Sequence, residues 1–258
     1  MILAILQARV SSSRLPRKVL KPILGVPMLG RQIERVQRAK LIDRLLVATS
    51  DDVTDNSIEQ WCRESGVECF RGKLDDVLDR FYQAAKPNAP EQVVRLTGDC
   101  PLADPGLIDE VIQFHISGDF DYSTNAIEPT YPDGLDVEVF RFVCLEQAWR
   151  EVKLPSQREH VTPFIHQQPD RFRIGLLKNA IDLSHLRWTV DEALDFELVR
   201  RIYEALYPID VEFKTQDILS FLDKNPELKT LNISYDRNEG FQKSLLKDQQ
   251  FLENNMGE

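Results

Sequence analysis

No stretch of this chain approaches the ~18 consecutive apolar residues that a transmembrane helix needs, which excludes a helical span. The apolar run Ile2–Leu6 passes straight into polar sequence, without the layout of a secretory leader, so a cytoplasmic protein is expected. Cysteine is scarce: Cys62, Cys69, Cys100 and Cys144 contain no C-x-x-C pair, which argues against a disulfide framework or a zinc site. Positive charge is also short. A net charge of −10 denies the chain the broad basic face that a nucleic-acid polymer requires. Internal repeats and low-complexity tracts are missing as well.

What positive charge there is lies at one end. Residues 1–40 hold nine Lys or Arg and a single acid, Glu34, so they carry +8 and the remainder carries −18. A local cationic site on an acidic body suits a small anionic ligand. Its centre is Gln7 to Lys18, which contains Arg9, Arg14, Arg17 and Lys18, the hydroxyls of Ser11–Ser13, and no acid. The segment directly follows the apolar run Ile2–Leu6. A loop at the end of a buried strand, with cations and small residues, can cradle a polyphosphate. Arg9 and Lys18 are the candidate phosphate ligands, and Arg14 is either a third or a structural ion-pair partner.

With 42% hydrophobic residues, 258 residues suffice for one large α/β domain. Short apolar strands at Ile2–Leu6, Leu45–Ala48, Val67–Phe70 and Gln92–Leu96 alternate with helical faces. Those faces are Leu29/Ile33/Val36 (with Pro27 in the first turn), Ile58/Trp61/Cys62, Leu78/Phe81/Tyr82/Ala85 and Leu107/Ile108/Val111/Ile112. The alternation predicts a mostly parallel sheet with ligands beyond the strands' carboxyl ends. Further strands are expected at Leu135–Val139 (half-exposed), Phe172–Leu177 and Arg187–Val190. Helices should open near Ser156 and Glu192. Residues 1–118 form one expected half of the domain and 119–210 the other. Residues 211–258 are an expected peripheral extension whose last dozen are frayed.

Two more loops fall on that edge. In Thr97-Gly98-Asp99-Cys100-Pro101-Leu102 the strand end projects the Asp99 carboxylate, a hard oxygen ligand suited to Mg²⁺. Asp104 is the natural cap of the following helix. Cys100 with His160 is not supported as a nucleophilic pair by any pattern. Asp191, after Arg187-Trp188-Thr189-Val190, is either a helix cap or a second carboxylate for a metal–triphosphate site, with Asp195 one turn on.

These loops, with Tyr131-Pro132-Asp133-Gly134-Leu135-Asp136-Val137-Glu138-Val139-Phe140 and Arg158-Glu159-His160-Val161-Thr162-Pro163, resemble the SpsF-type cytidylyltransferases of spore-coat polysaccharide biosynthesis. These are similar to the CMP-Kdo and CMP-sialic acid synthetases. The resemblance runs from Met1 to about Tyr207 and weakly into Asn238-Glu239-Gly240. It implies a Rossmann-like nucleotide-diphospho-sugar transferase (GT-A-like) fold, a homodimer, and transfer of CMP from CTP to a sugar acid. Arg9 and Lys18 would hold phosphates, with Ser12, Arg14 and Thr97 nearby, and Asp99 and Asp191 would hold Mg²⁺. The backbone of Leu6, Gln7, Ala8 and Arg9, with Arg71 and Asp76, would read the base. Arg158, His160 and Arg187 are candidates for a sugar carboxylate, although Arg158–His160 could equally be a helix surface or dimer contact. Asp136 and Glu138 either accept sugar hydroxyls or form the polar side of an edge strand. Ser11 and Arg17 depart from the family pattern, and Arg17 stands where Gly is usual. A glycosyltransferase of the same fold would instead need a D-x-D pair, for which Asp119-Phe120-Asp121 and Asp136-Val137-Glu138 are the nearest cases. A non-catalytic nucleotide-binding partner would lack a usable metal pair.

Overall fold

Strand β1 (Ile2–Gln7) is apolar at every position but its last because both its faces are covered. Its side chains alternate, Ala4 and Leu6 entering one core and Leu3 and Ile5 the other. A small hairpin, β2 (Pro22–Ile23) with β3 (Val26–Pro27), then leads into α1 (Met28–Val36). Pro27 is the residue before that helix rather than its first turn. There follow β4 (Arg44–Ser50), α2 (Asn56–Glu64), β5 (Glu68–Gly72), α3 (Val77–Ala85), β6 (Gln92–Thr97) and α4 (Pro105–Ser117). Asp104 caps α4, accepting from the Gly106 and Leu107 N–H groups. Next come β7 (Tyr122–Thr124), β8 (Glu138–Arg141), α5 (Phe142–Glu151), α6 (Pro155–His160), α7 (Pro163–His166) and β9 (Ile174–Leu176). The chain continues through α8 (Ala193–Leu206), α9 (Thr215–Lys224), α10 (Pro226–Lys229) and α11 (Glu239–Asn255). The computed structural model describes all residues except 13, 233–234, 236–238 and 256–258. Ser13 of the cationic loop and Asn238 of the resemblance thus lie outside the described residues.

The expected α/β architecture with a mostly parallel sheet is present. One seven-stranded sheet runs β5-β4-β1-β6-β8-β7-β9, parallel from β5 to β6 and again between β7 and β9. β8 runs antiparallel to both its neighbours, so the two halves of the chain share one sheet. Helices α1, α4, α8 and α9 cover one face, and α3, α5 and α7 the other. Among the described residues no helix is long and apolar enough to cross a membrane.

Several expectations need correction. β8 is not half-exposed: paired on both edges and covered on both faces, it leaves Val139 and Phe140 at 0% exposure and Glu138 at 9%. Leu135 and Val137 are buried too, in this chain's own core. Arg187–Val190 is not a strand. The Trp188 and Thr189 N–H groups both donate to the Asp133 carbonyl, at 2.6 and 2.8 Å, whereas successive N–H groups of a strand point to opposite sides. Gly134 (φ 104°) makes this clamp possible, since a Cβ there would lie 2.4 Å from the Thr189 nitrogen. Nor is the described chain beyond Tyr207 peripheral, since Phe213, Ile218 and Leu222 enter the core. α11 runs to Asn255 and packs on α6, where Asp248 accepts from the Ser156 N–H at 2.8 Å.

His115 of α4 is buried between Ser123 (3.0 Å) and Gln92 (2.9 Å), and burial, then nearby Arg141, lower its pKa to about 4. Above pH 6.5 both folded and unfolded chains leave the ring neutral. Below it only the unfolded chain takes up the proton, so stability falls as pH drops from 6.5 towards 4. His115→Gln should flatten the pH dependence of urea unfolding in that window, by on the order of 2 kcal/mol between pH 7 and pH 5. An unchanged slope would mean that His115 is not held neutral.

Candidate active site

The cleft lies beyond the carboxyl ends of β1 and β6. Gly98 lets these ends approach: its N–H donates to the Gln7 carbonyl at 2.7 Å, and a Cβ there would sit 2.9 Å from that oxygen. The cationic loop is pinned to the scaffold where the Val10 N–H donates to Asp55 at 2.6 Å and the Arg17 N–H to the Val10 carbonyl at 3.2 Å. Arg17 adopts the left-handed conformation (φ 58°) that a glycine would occupy without strain. It thereby starts the short helical turn Lys18–Leu20, which turns Lys18 inward to 8% exposure.

Lys18 is the hub. Its ammonium donates to Asp191 Oδ1 at 2.8 Å, the Val190 carbonyl at 2.7 Å and Asp99 Oδ2 at 3.2 Å. Burial alone would lower its pKa, but Asp99 and Asp191 outweigh that and raise it. Burial would likewise raise Asp99, yet Lys18 and the Thr97 hydroxyl hold it down at about 2. Arg14 adds a 2.9 Å contact to Asp191 Oδ1 and one of 3.5 Å to Glu192, so it is an ion-pair partner at the cleft wall. Cys100 is buried beside Asp99, and both effects push its thiol well above the usual range, away from the thiolate a nucleophile needs.

Asp191 is free of capping duty because Glu192 caps α8 and Asp195 accepts from the Asp191 and Glu192 N–H groups at 2.9 Å each. Asp99 and Asp191, from separate elements, therefore converge on one cation. Among the described residues no cluster of three or more His, Cys, Asp or Glu could hold a metal unaided. Two hard carboxylates fit an ion that completes its shell with water and substrate phosphates, as Mg²⁺ does.

Two connected lobes flank this hub, of about 540 Å³ and about 450 Å³, both lined by Gln7, Arg14, Thr97, Asp99, His160 and Asp191. Ala8, Arg9, Ser12 and Lys18 line the first, and Asp136, Glu138 and Arg187 the second. The Ser12 hydroxyl accepts from the Leu15 N–H at 3.3 Å and so also shapes its own loop. Leu6 lines neither lobe, its side chain being fully buried in the core.

Other expected ligands are taken up inside the chain. Arg71 donates to the Ser50 and Asp52 carbonyls and pairs with Glu59 at 2.9 Å, away from both lobes. Arg158 pairs with Asp76 (2.9 and 2.8 Å), which also caps α3, so neither reaches the cleft. Arg187 does reach the second lobe, but it is committed to Asp133, Asp191 and Asp195 at 3.0–3.2 Å. Glu138 pairs with Arg95 and accepts from Tyr122 (2.7 Å) and Thr162 (2.6 Å), making it a tie across β6, β7 and β8 rather than a free sugar ligand. Asp119 and Asp121 bind Arg141 and line neither lobe, so neither D-x-D candidate supplies two available carboxylates.

The sequence reading missed several lining residues. Val161 is held at φ 71°, ψ −56° in a three-residue turn closed by the Thr162 N–H on the His160 carbonyl (2.8 Å), which brings both flanking side chains to the second lobe. Ser244 and Lys247 of α11 line the first lobe beside Glu159, to which Lys247 is bound at 2.9 Å. Arg80 of α3 lines it as well, its position on the helix face of Val77 and Phe81 being the one hint.

A family model described as cytidylyltransferase matches residues 3–240. The chain belongs to the cytidylyltransferase family. It is 34% identical over 238 residues to the spore coat polysaccharide biosynthesis protein SpsF of Bacillus subtilis, covering 89% of this chain and 97% of that one. It is 39% identical over 113 residues to the 3-deoxy-manno-octulosonate cytidylyltransferase of Geobacter sulfurreducens, covering 43% of this chain and 44% of that one. A solved structure of a cytidylyltransferase from Leptospira borgpetersenii superposes with a TM-score of 0.83 at 31% identity, covering 88% of this chain and 96% of that one. The resemblance seen in the motifs is thus a family relationship, and this cytidylyltransferase is a nucleotidyl-transferring enzyme.

Proposed function

We propose that this enzyme transfers CMP from CTP to a hydroxyl of a sugar acid, releasing pyrophosphate and activating the sugar for surface polysaccharide. The observation that carries the reading is the convergence of Asp99, Asp191 and Lys18 between two connected lobes. One lobe is rich in cations and suits the nucleotide, and the other suits an acceptor. The relationship to a 3-deoxy-manno-octulosonate cytidylyltransferase supports the sugar-acid class.

The sugar hydroxyl oxygen forms a bond to the α-phosphorus while the bond from that phosphorus to the α–β bridging oxygen breaks, pyrophosphate departs in line and the hydroxyl proton passes to solvent. Such transfers depend on positioning and charge neutralisation. Asp99 and Asp191 would hold the divalent ion, Mg²⁺ being the expected one, and when bound it neutralises phosphate charge. Arg9 and Lys18 offset the charge growing on the pyrophosphate, while Gln7, Ala8, Ser12, Arg14 and Thr97 shape the nucleotide's bed. Asp136 and His160 face the acceptor. By analogy with the synthetases, the acting unit is a homodimer.

Thermal melting in Mg²⁺ with CTP, UTP, ATP, GTP or a UDP-sugar tests the nucleotide assignment, because a ligand stabilises the state it binds. CTP should raise the midpoint most. A shift with a UDP-sugar and none with CTP would instead favour a glycosyltransferase.

A further inference from the structure

Helices α6 and α11 meet through polar residues set at the same spacing on each side. Ser156, Glu159 and His160 of α6 stand at i, i+3 and i+4, and so do Ser244, Lys247 and Asp248 of α11. The pairing runs antiparallel. Asp248 accepts from the Ser156 N–H at 2.8 Å, and Lys247 donates to Glu159 at 2.9 Å. The Ser244 hydroxyl lies 3.0 Å from Glu159 Oε2 and 2.9 Å from His160 Nε2. Ser156 and Ser244 are each 2% exposed, so the helix contact and not water sets their partners. Ser244, Lys247 and Asp248 all lie beyond residue 240, where the family match ends. Even so, Ser244 and Lys247 reach the first lobe, and His160 lines both lobes.

The chemistry of Glu159, Ser244 and His160 fixes where the protons sit. Burial alone would raise the Glu159 pKa, but Lys247 and Ser244 hold it below the usual carboxylate range. It is therefore charged near neutrality and can only accept. The Ser244 hydroxyl donates to it. With its proton turned to Glu159, the hydroxyl meets His160 with a lone pair, so Nε2 must carry the hydrogen of that contact. Burial, then Arg95, lower the His160 pKa, so the ring is neutral above pH 6.5. A neutral ring with Nε2–H keeps Nδ1 as its accepting nitrogen.

We propose that Ser244 is a positioning residue for the transfer: through its hydroxyl, α11 fixes the place and the Nε2–H tautomer of His160, which lines both lobes. A helix beyond the family match thus completes the cleft. This inference rests on the CTP reading above, in which His160 faces the acceptor.

The test uses the full chain as wild type, Ser244→Ala, Ser244→Thr, His160→Gln and the Ser244→Ala/His160→Gln double variant. Two-bond proton–nitrogen spectra of the imidazole rings read the tautomer without substrate. The chain has four histidines, and the signal lost in His160→Gln assigns His160. Wild-type His160 should show Nε2–H with Nδ1 unprotonated, and Ser244→Ala should lose that fixed state. In pyrophosphate release, Ser244→Ala should lower kcat about tenfold while the KM for CTP stays within about twofold. Ser244→Thr, which keeps the hydroxyl, should restore most of the loss. In the His160→Gln background, Ser244→Ala should cost nothing further. A raised KM for CTP at unchanged kcat would make Ser244 a nucleotide ligand and overturn the proposal. Independent, multiplying losses in the double variant, or an unchanged tautomer in Ser244→Ala, would overturn it too. A wild type that shows the Nε2–H signature yet releases no pyrophosphate from CTP with any sugar acid would instead sink the CTP reading itself, leaving the Ser244–His160 link intact.

Discussion

Asp99→Ala should lower pyrophosphate release by about 10³-fold or more while leaving the melting temperature within a few degrees of wild type. The carboxylate anchors one side of Lys18 and, with Asp191 on the same ammonium, is positioned to share a cation. Its loss deprives the phosphates of charge neutralisation where charge changes most. The fold should tolerate the change, because the Asp99 side chain is 28% exposed and Lys18 retains Asp191 and the Val190 carbonyl. Measuring kcat and KM separately sharpens the test. A fall confined to kcat fits transition-state stabilisation, whereas retained turnover would remove Asp99 from the chemistry.

Arg187→Met should destabilise the protein by about 3–5 kcal/mol, lowering the melting midpoint by roughly 10 °C. Arg187 is 8% exposed and bridges Asp133, Asp191 and Asp195, the last of which is fully buried. Removing only the cation leaves Asp195 with the Asn232 amide and two backbone N–H groups but no balancing charge. Arg187→Met combined with Asp195→Asn should recover part of the loss, because the orphaned charge is then gone. Urea unfolding of the single and double variants measures both values. A single variant as stable as wild type would show that Arg187 is not a structural tie and would restore it as a candidate for the sugar carboxylate.

The sheet's parallel half was legible because β1, β4, β5 and β6 are short apolar runs punctuated by amphipathic helices, and both faces of such strands are covered. The place of Asp99 was legible for a related reason, because it closely follows β6, at whose carboxyl end the cleft lies, whereas Asp191 follows Arg187–Val190, which is no strand. The ion pairs were not legible. Arg158 finds Asp76 from 82 residues away, Arg187 finds Asp133 from 54 and Glu138 finds Arg95 from 43. Nothing local distinguishes a cation awaiting substrate from one already satisfied within the chain. The C-terminal helix was missed because its anchors, Ser244 and Asp248, are polar and leave no apolar stripe to read. Arg80 was hidden for the opposite reason, as a cation on a helix face that otherwise reads as core.

The most direct test of the central claim is pyrophosphate release from CTP in Mg²⁺, measured across a panel of nonulosonic and 3-deoxy sugar acids. At least one acceptor should release pyrophosphate in step with a CMP-sugar, with CTP preferred over UTP, and Asp99→Ala should release none above background. Absence of pyrophosphate with every acceptor, alongside turnover of a nucleotide-sugar donor, would contradict the account.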